Sequence, residues 1–359
     1  MYEEQEGEVV CSTMHDDMKQ LAADFINWAM ETMEEATMER KGERVRNAVI
    51  IYNPTSGRQR TRRMHDLERA AEILKGSGVE AELAPTMHPG AATELARDAV
   101  KTGRQMVIAC GGDGTINEVI NGLAGSDVPL AVLPAGTANI LAKEIGIPWN
   151  IPEAARLISG GRLARIALGE IVWPNGNHAA HEQASVAAQR YFLCVGGAGP
   201  DGAIVQAIDT ESKSRVGILE YWKQGFQQYF SYGFPQFRIA TNEKEMTGSL
   251  LVVGRTKYYG GPFRITTGAS LFEDAFEIVA YSGRNRLTVL LCLPAIWLGL
   301  LHRVPGIHVW KTQRIRCEAV NGDRIYAQVD GEAASALPLE FRIVPNALTL
   351  VLPATSAQG

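Results

Sequence analysis

Residues 106–123 read Met106-Val107-Ile108-Ala109-Cys110-Gly111-Gly112-Asp113-Gly114-Thr115-Ile116-Asn117-Glu118-Val119-Ile120-Asn121-Gly122-Leu123. A short apolar run ends in three glycines around one aspartate, and an apolar repeat at helical spacing follows, which predicts strand, turn and helix. Glycine lets a backbone approach a ligand closely and take positive φ where the turn requires it. The helix that follows aims its N–H groups at the same place, an anion site in itself. Thr115 and Asn117 add a hydroxyl and an amide. Asp113 is out of place in a pure phosphate cradle, because a carboxylate repels phosphate. It fits a role with Mg²⁺, with a ribose, or with the backbone N–H groups of its own loop. Glu118 raises the same question one turn on.

Two similar corners lie outward along the chain. The strand predicted at Ala48–Tyr52 runs into Asn53-Pro54-Thr55-Ser56-Gly57. The strand predicted at Leu130–Leu133 runs into Pro134-Ala135-Gly136-Thr137-Ala138-Asn139. Between them the pattern predicts helices over Met64–Lys75 and Ala91–Lys101 and a strand over Val79–Ala84. Such alternation with short links implies a parallel sheet covered on both faces, with ligands beyond the carboxyl ends of the strands. One glycine turn is weak evidence of phosphate binding, and three in register are much stronger. Neither a P-loop nor a dinucleotide fingerprint is present in this half. The basic cluster Arg58, Arg60, Arg62 and Arg63 reads as a solvated helix start.

After about Ile166 the rhythm changes. Arg165–Val172, Tyr191–Val195, Phe237–Thr241, Ser249–Val253, Phe276–Tyr281, Gln313–Cys317 and Arg324–Val329 read as strands divided by Gly, Asn or Pro turns, a mainly antiparallel second domain, and the apolar, β-like tail Leu348–Leu352 could return to either domain. Asn175–Gln189 reads as a polar loop. In residues 1–45, Met14, Met18, Leu21, Phe25, Trp28 and Met33 recur at amphipathic helical spacing; packing on the chain itself or on a partner is favoured over lipid docking because the polar face is acidic. Leu287–Leu301 is apolar, contains Pro294 and falls short of the roughly 20 residues of a spanning helix, so it reads as a buried or lipid-facing helix. The net charge of -5 supplies no global basic field and argues against a nucleic-acid partner. Five scattered cysteines without a C-x-x-C pair argue against a disulfide framework or a Cys zinc site and for a reducing cytoplasm. The acidic first residues do not resemble a signal peptide.

The three corners carry a resemblance. Residues 53–57, 111–122 and 133–148, in that order and spacing, resemble the diacylglycerol kinase catalytic domain, above all the bacterial soluble lipid kinases, which also resemble sphingosine and ceramide kinases. The resemblance spans about residues 46–355 and implies an α/β fold: an N-terminal doubly wound Rossmann-like nucleotide domain at 46–162 and a C-terminal antiparallel β-sandwich, lipid-binding, at 163–344. The helical extension 1–45 precedes them, and the tail 345–355 is able to return to the first. It implies ATP and Mg²⁺ as cofactors and a role in phospholipid biosynthesis. The implied acceptor is a lipid hydroxyl, diacylglycerol-like ahead of sphingoid-like, met at a membrane surface by a cytoplasmic, peripheral, transiently bound enzyme without a transmembrane span; a homodimer is left open.

Carried over by position, Asn53, Pro54, Thr55, Ser56, Gly57, Thr86, Gly111, Gly112, Asp113, Gly114, Thr115, Ile116, Asn117 and Thr137 would contact ATP, with Asp113 near the phosphates and Mg²⁺. Asp330-Gly331-Glu332 resembles the family's turn that accepts the proton of the lipid hydroxyl, and either Asp330 or Glu332 takes that role. Leu271–Phe276 resembles the family's structural Mg²⁺ loop, with Asp274 giving a carboxylate and Leu271 and Phe276 giving carbonyls. Ala275 stands where Gly is usual, Glu277 where Asp often follows, and Ala167 where an Asp often lies. Gly196–Asp201 resembles the family's Gly-rich strand end, suited to close packing or to lipid approach. Two other classes stand beside the lipid kinase: a kinase of soluble substrates like the NAD kinases, since Gly-Gly-Asp-Gly occurs there too, and a lipid- or nucleotide-sensing module without turnover.

Overall fold

In the computed structural model, which describes residues 45–54, 60–173, 189–207, 232–261 and 263–354, the apolar runs of the first half become parallel strands. They are β1 (Asn47–Tyr52), β2 (Glu80–Pro85), β3 (Met106–Gly111) and β4 (Leu130–Pro134), in the order β2-β1-β3-β4. Every residue of β3 is buried, as the inner strand of a covered sheet requires. The links are α1 (Arg60–Gly76), α2 (Ala91–Lys101) and α3 (Asp113–Leu123), and α4 (Ile140–Glu144) and α5 (Ile151–Ser159) follow β4. α1 packs with α5 and α2 with α3, the two helical layers of a doubly wound sheet. The predicted helix within residues 1–45 lies outside the described residues.

The second half is antiparallel. β5 (Arg162–Val172), β6 (Gln189–Phe192), β8 (Phe237–Ala240), β9 (Glu245–Gly248), β15 (Arg314–Ala319) and β18 (Leu339–Leu352) extend the first sheet. β7 (Val195–Ala198), β10 (Leu250–Gly254), β13 (Phe276–Tyr281), β14 (Ile307–Thr312), β16 (Tyr326–Val329) and β17 (Glu332–Ala336) form a second, in the order β14-β13-β10-β7-β16-β17. A hairpin of β11 (Tyr258–Tyr259) and β12 (Phe263–Arg264), α6 (Pro200–Ala207) and α7 (Arg286–Trp297) complete the elements. The inner faces meet in one core: Ile171, Phe192, Phe237, Ile239, Ile315 and Phe341 from the first sheet against Leu251, Val253, Phe276, Ile278 and Val329 from the second. Phe192 sits at its centre, stacked on Phe276 at 5.8 Å and edge-on to Phe341 at 5.9 Å, contacts that add about 0.5–1.5 kcal/mol per pair beyond area burial.

Strands β9, β11, β12, β14 and β17 are not among those expected, and two expected strands differ in course for physical reasons. The stretch Tyr191–Val195, read as one strand, is two. β6 pairs with β5 in the first sheet and β7 with β10 and β16 in the second, so the chain changes sheets at Leu193–Cys194. Leu348–Leu352 is only the end of β18. That strand pairs antiparallel with β15 and β5 and parallel with β4. It passes from the sandwich into the parallel sheet through a register shift between Val344 and Leu348, where Asn346 takes φ 50°. The basic cluster differs as well: Arg62 is solvated, but Arg63 is buried and donates to the Asn53 carbonyl at 3.4 Å.

Candidate functional site

The corners after β3 and β4 touch through their backbones. A Cβ on Gly136 would lie 2.3 Å from Gly112 Cα, so only glycine permits the approach. Asn139 fixes the corner from within: its Oδ1 accepts from Gly136 N at 2.9 Å and its Nδ2 donates to Gly136 O at 3.0 Å. Asn139 itself takes φ 47°, the left-handed region that short polar side chains tolerate. Asp113 Oδ1 accepts from Ile140 N at 2.7 Å. The backbone N–H it holds belongs to the corner after β4 and not, as expected, to its own loop. Burial pushes its carboxyl up, against the lowering effect of that bond. Glu118 does the same for α2, accepting from Ala92 N at 3.1 Å, and burial raises it too.

The remaining corner residues fall into three described groups, with Thr55, Ser56 and Gly57 apart from them. Asn53, Pro54 and Thr86 lie at the carboxyl ends of β1 and β2, with Asn53 N donating to Cys110 O at 3.3 Å and Thr86 N to Tyr52 O at 2.9 Å. Thr137 is exposed on the β4 corner. Thr115, Ile116 and Asn117 are buried, at 9%, 3% and 1% exposure. Ile116 belongs to the core, with its N–H bonded to Gly112 O at 3.1 Å, and Asn117 belongs to a polar network, so neither side chain is placed to meet ATP as expected. Thr55, Ser56 and Gly57 lie outside the described residues.

The Asp330 turn meets the same place from the other domain. Asp330 and Gly331 have φ 49° and 76° between the paired Val329 and Glu332, the two-residue hairpin that favours Asp-Gly. Asp330 Oδ1 accepts from Cys194 N and Val195 N, and Oδ2 from Leu193 N, each at 2.9 Å; Asn117 Nδ2 donates to Oδ2 at 2.7 Å. These N–H groups are the ones the sheet change at Leu193–Cys194 would leave without ladder partners. Burial pushes the Asp330 carboxyl up, opposed by those same donors. Its roughly four lone-pair positions are met by four donors, which leaves none for an incoming hydroxyl.

Glu332 is different. Its carboxylate is half-buried and reaches α3, with Oε1 3.0 Å from where a Gly114 Cβ would stand. It pairs with Arg190, which bonds Oε2 and also donates to Asn117 Oδ1 at 3.0 Å. Behind the turn, Gly331 N donates to Gln328 Oε1 at 2.9 Å, and Gln328 Nε2 donates to Asp201 Oδ2 at 2.7 Å. Tyr259 donates to the other Asp201 oxygen. Burial holds the Asp201 carboxyl up, at about 6, with the Gln328 bond opposing. A Cβ on Gly197 would stand 2.0 Å from Asp201 Oδ2, so the glycines after β6 serve close packing. Arg190, Gln328 and Tyr259 carry no sequence signal of their own; only the fold assembles them.

In the expected metal loop, the Leu271 carbonyl accepts from Arg255 at 2.8 Å, the Asp274 side chain is exposed, and Phe276 begins β13 opposite Thr312.

Residues 47–171 match the diacylglycerol kinase catalytic domain, and residues 195–352 match the YegS C-terminal NAD kinase beta sandwich-like domain. The chain is 28% identical over 319 residues to the diacylglycerol kinase of Bacillus subtilis, covering 88% of this chain and 99% of that protein. It is 28% identical over 276 residues to the diacylglycerol kinase of Mycobacterium tuberculosis, covering 73% and 81%. A crystal structure of a diacylglycerol kinase from Bacillus anthracis superposes with a TM-score of 0.67 at 21% identity, covering 87% of this chain and 99% of that one, which is likeness of fold.

Proposed function

The chain belongs to the diacylglycerol kinase family of lipid kinases, and from that premise we propose that it transfers the γ-phosphate of ATP to the hydroxyl of a diacylglycerol-like lipid. The observation that carries this reading is the contact of Glu332, from the sandwich, with Gly114, in the glycine corner of the parallel sheet. Phosphoryl transfer needs positioned phosphates, charge neutralisation and an acceptor for the hydroxyl proton. The corner at 111–115, the start of α3 and the corner at 134–139 supply N–H groups for the phosphates. Magnesium arriving with ATP would neutralise phosphate charge, and Asp113 is the carboxylate within the corner available to it. Glu332 takes the hydroxyl proton as the lipid oxygen bonds the γ-phosphorus; the bond to the β-phosphate oxygen breaks, and ADP leaves with that electron pair. Arg190 moves from Glu332 to the phosphates in this scheme, freeing the carboxylate as the nucleotide's charge is met.

The packing of the two corners gives a direct expectation. Gly136→Ala drives a methyl into Gly112, overpacking that costs about 1–3 kcal/mol, so KM for ATP should rise by roughly tenfold or more. Steady-state kinetics with lipid saturating checks it.

The lipid-facing reading of α7 is supported by exposure. Leu287, Leu291 and Trp297 are 66%, 61% and 71% exposed, and Arg303 follows on the same exposed segment. Trp297 packs edge-on to Phe263 of the β11–β12 hairpin at 6.1 Å, and Tyr259 of that hairpin bonds Asp201 behind the catalytic turn. An apolar face of this kind suits transient insertion at a bilayer surface. Leu291→Glu with Trp297→Glu should weaken binding to phosphatidylglycerol-containing vesicles about 100-fold, the order expected from losing two buried apolar side chains. Activity on a detergent-dispersed short-chain diacylglycerol should stay unchanged.

The test of the function is radiolabelled ATP offered with diacylglycerol, monoacylglycerol, ceramide, sphingosine, phosphatidylglycerol and NAD. Label in diacylglycerol is expected. Label in NAD would favour the soluble-substrate reading, which the likeness of the second domain to NAD kinase sandwiches keeps in view.

A further inference from the structure

The loop Leu271–Phe276 resembles a structural Mg²⁺ site, and the residues around it test whether a metal fits. Four carbonyl oxygens from two separate segments converge there, the donor type that a hard cation takes. They converge on Arg255. Its Nη2 donates to Ala167 O and Leu271 O, each at 2.8 Å, and its Nη1 to Ala275 O at 3.3 Å and to Glu273 O. The side chain is 0% exposed. Leu271 O, one of the two carbonyls a metal would need, is therefore already bonded to a cation. Ala275 is absent from the positive-φ residues, so the loop lacks the backbone that a glycine there would give. A divalent ion among these oxygens would meet a buried positive charge at contact distance, where little water screens the repulsion. The residues do not fit a metal.

The charge balance points the same way. Position 167 has no carboxylate, Asp274 is first among the charges that favour the guanidinium, and Glu273, the other carboxylate acting on it, is itself paired with Lys311, which leaves one carboxylate uncommitted. One carboxylate suits one positive charge and leaves a divalent ion in excess. A guanidinium keeps its charge in proteins, and this one is held by four carbonyl acceptors.

We propose that the Arg255 guanidinium is a built-in replacement for a structural divalent cation, so that the sandwich folds and holds its catalytic turn without metal. Arg255 extends past β10, and its own N–H donates to Cys194 O at 2.8 Å, with Thr256 N at 3.3 Å. Cys194 N in turn bonds Asp330. The internal cation thus braces the far side of the crossover that Asp330 caps.

The experiment is thermal melting of the full chain without nucleotide, in EDTA and in millimolar MgCl₂. Superimposable melts are expected for the unaltered protein. Arg255→Ala, which leaves two buried and two partly buried carbonyls without this partner, should melt roughly 10 °C lower. Arg255→Lys keeps the charge with fewer donors and should melt between the two, again without a response to EDTA. If Arg255→Ala does not fold, the other two melts carry the test. A melt of the unaltered protein that falls on chelation, or tight Mn²⁺ binding that Asp274→Asn abolishes, would overturn the proposal. So would an Arg255→Ala melt equal to that of the unaltered chain.

Discussion

Glu332→Gln should lower kcat by about a thousandfold, within the 10²–10⁴ range of a positioned general base, while leaving Tm and KM for ATP nearly unchanged. The amide keeps the shape of the side chain and an oxygen for Arg190, so packing at the hairpin is retained. The ion pair it removes is half-exposed, and such pairs contribute about 0–1 kcal/mol. What goes is the capacity to take the hydroxyl proton. Kinetics of label transfer to diacylglycerol with a parallel melt is the check. An unaltered kcat would remove Glu332 from the chemistry and pass the role of proton acceptor to another group.

The period of the sequence carries the fold a long way. Strand β13 and helix α2 have the bounds that alternation and apolar spacing predict, because each is a local pattern on one element. The α/β class follows from the same patterns. Partner choice is not local. Nothing in Gln189–Ala198 announces that the chain changes sheets at Leu193–Cys194. That becomes visible only once Asp330, more than a hundred residues on, is seen to bond the N–H groups freed there. The length of β18 was hidden for the same reason: Pro345 and Asn346 read as a break, and the strand resumes in register with different neighbours.

The site divides along that line too. Corners 111–115 and 134–139 are readable as neighbours, since each follows a strand and β3 pairs with β4. Arg190 and Arg255 are not readable. One stands at the edge of a polar loop and the other at the end of an apolar strand, where an arginine ordinarily marks the exit to solvent. Burial turns Arg255 into an internal cation, and burial is a property of the assembled sandwich. Helix α7 had two readings, buried or lipid-facing. Leu287, Leu291 and Trp297 are exposed, which composition alone does not reveal.

Asp330→Asn is expected to act on stability where Glu332→Gln acts on rate. Asparagine tolerates the positive φ at this position, so the hairpin backbone is not the source of the effect. The effect comes from the loss of acceptors. The carboxylate receives Leu193 N, Cys194 N, Val195 N and Asn117 Nδ2. An amide offers one oxygen and turns an NH₂ toward the remaining donors. Charge-assisted bonds to buried donors are lost and donor faces donor, a cost of about 3–5 kcal/mol and a fall in Tm on the order of 10 °C. Because Asn117 also holds Arg190, the shift should be felt at Glu332 as a partial loss of kcat at temperatures where the variant is still folded. Melting followed by near-UV circular dichroism, with label transfer measured well below the transition, separates the two consequences. If Asp330→Asn melted like the unaltered protein and lost as much rate as Glu332→Gln, the proton acceptor would be Asp330, and its four hydrogen bonds would have to open during turnover.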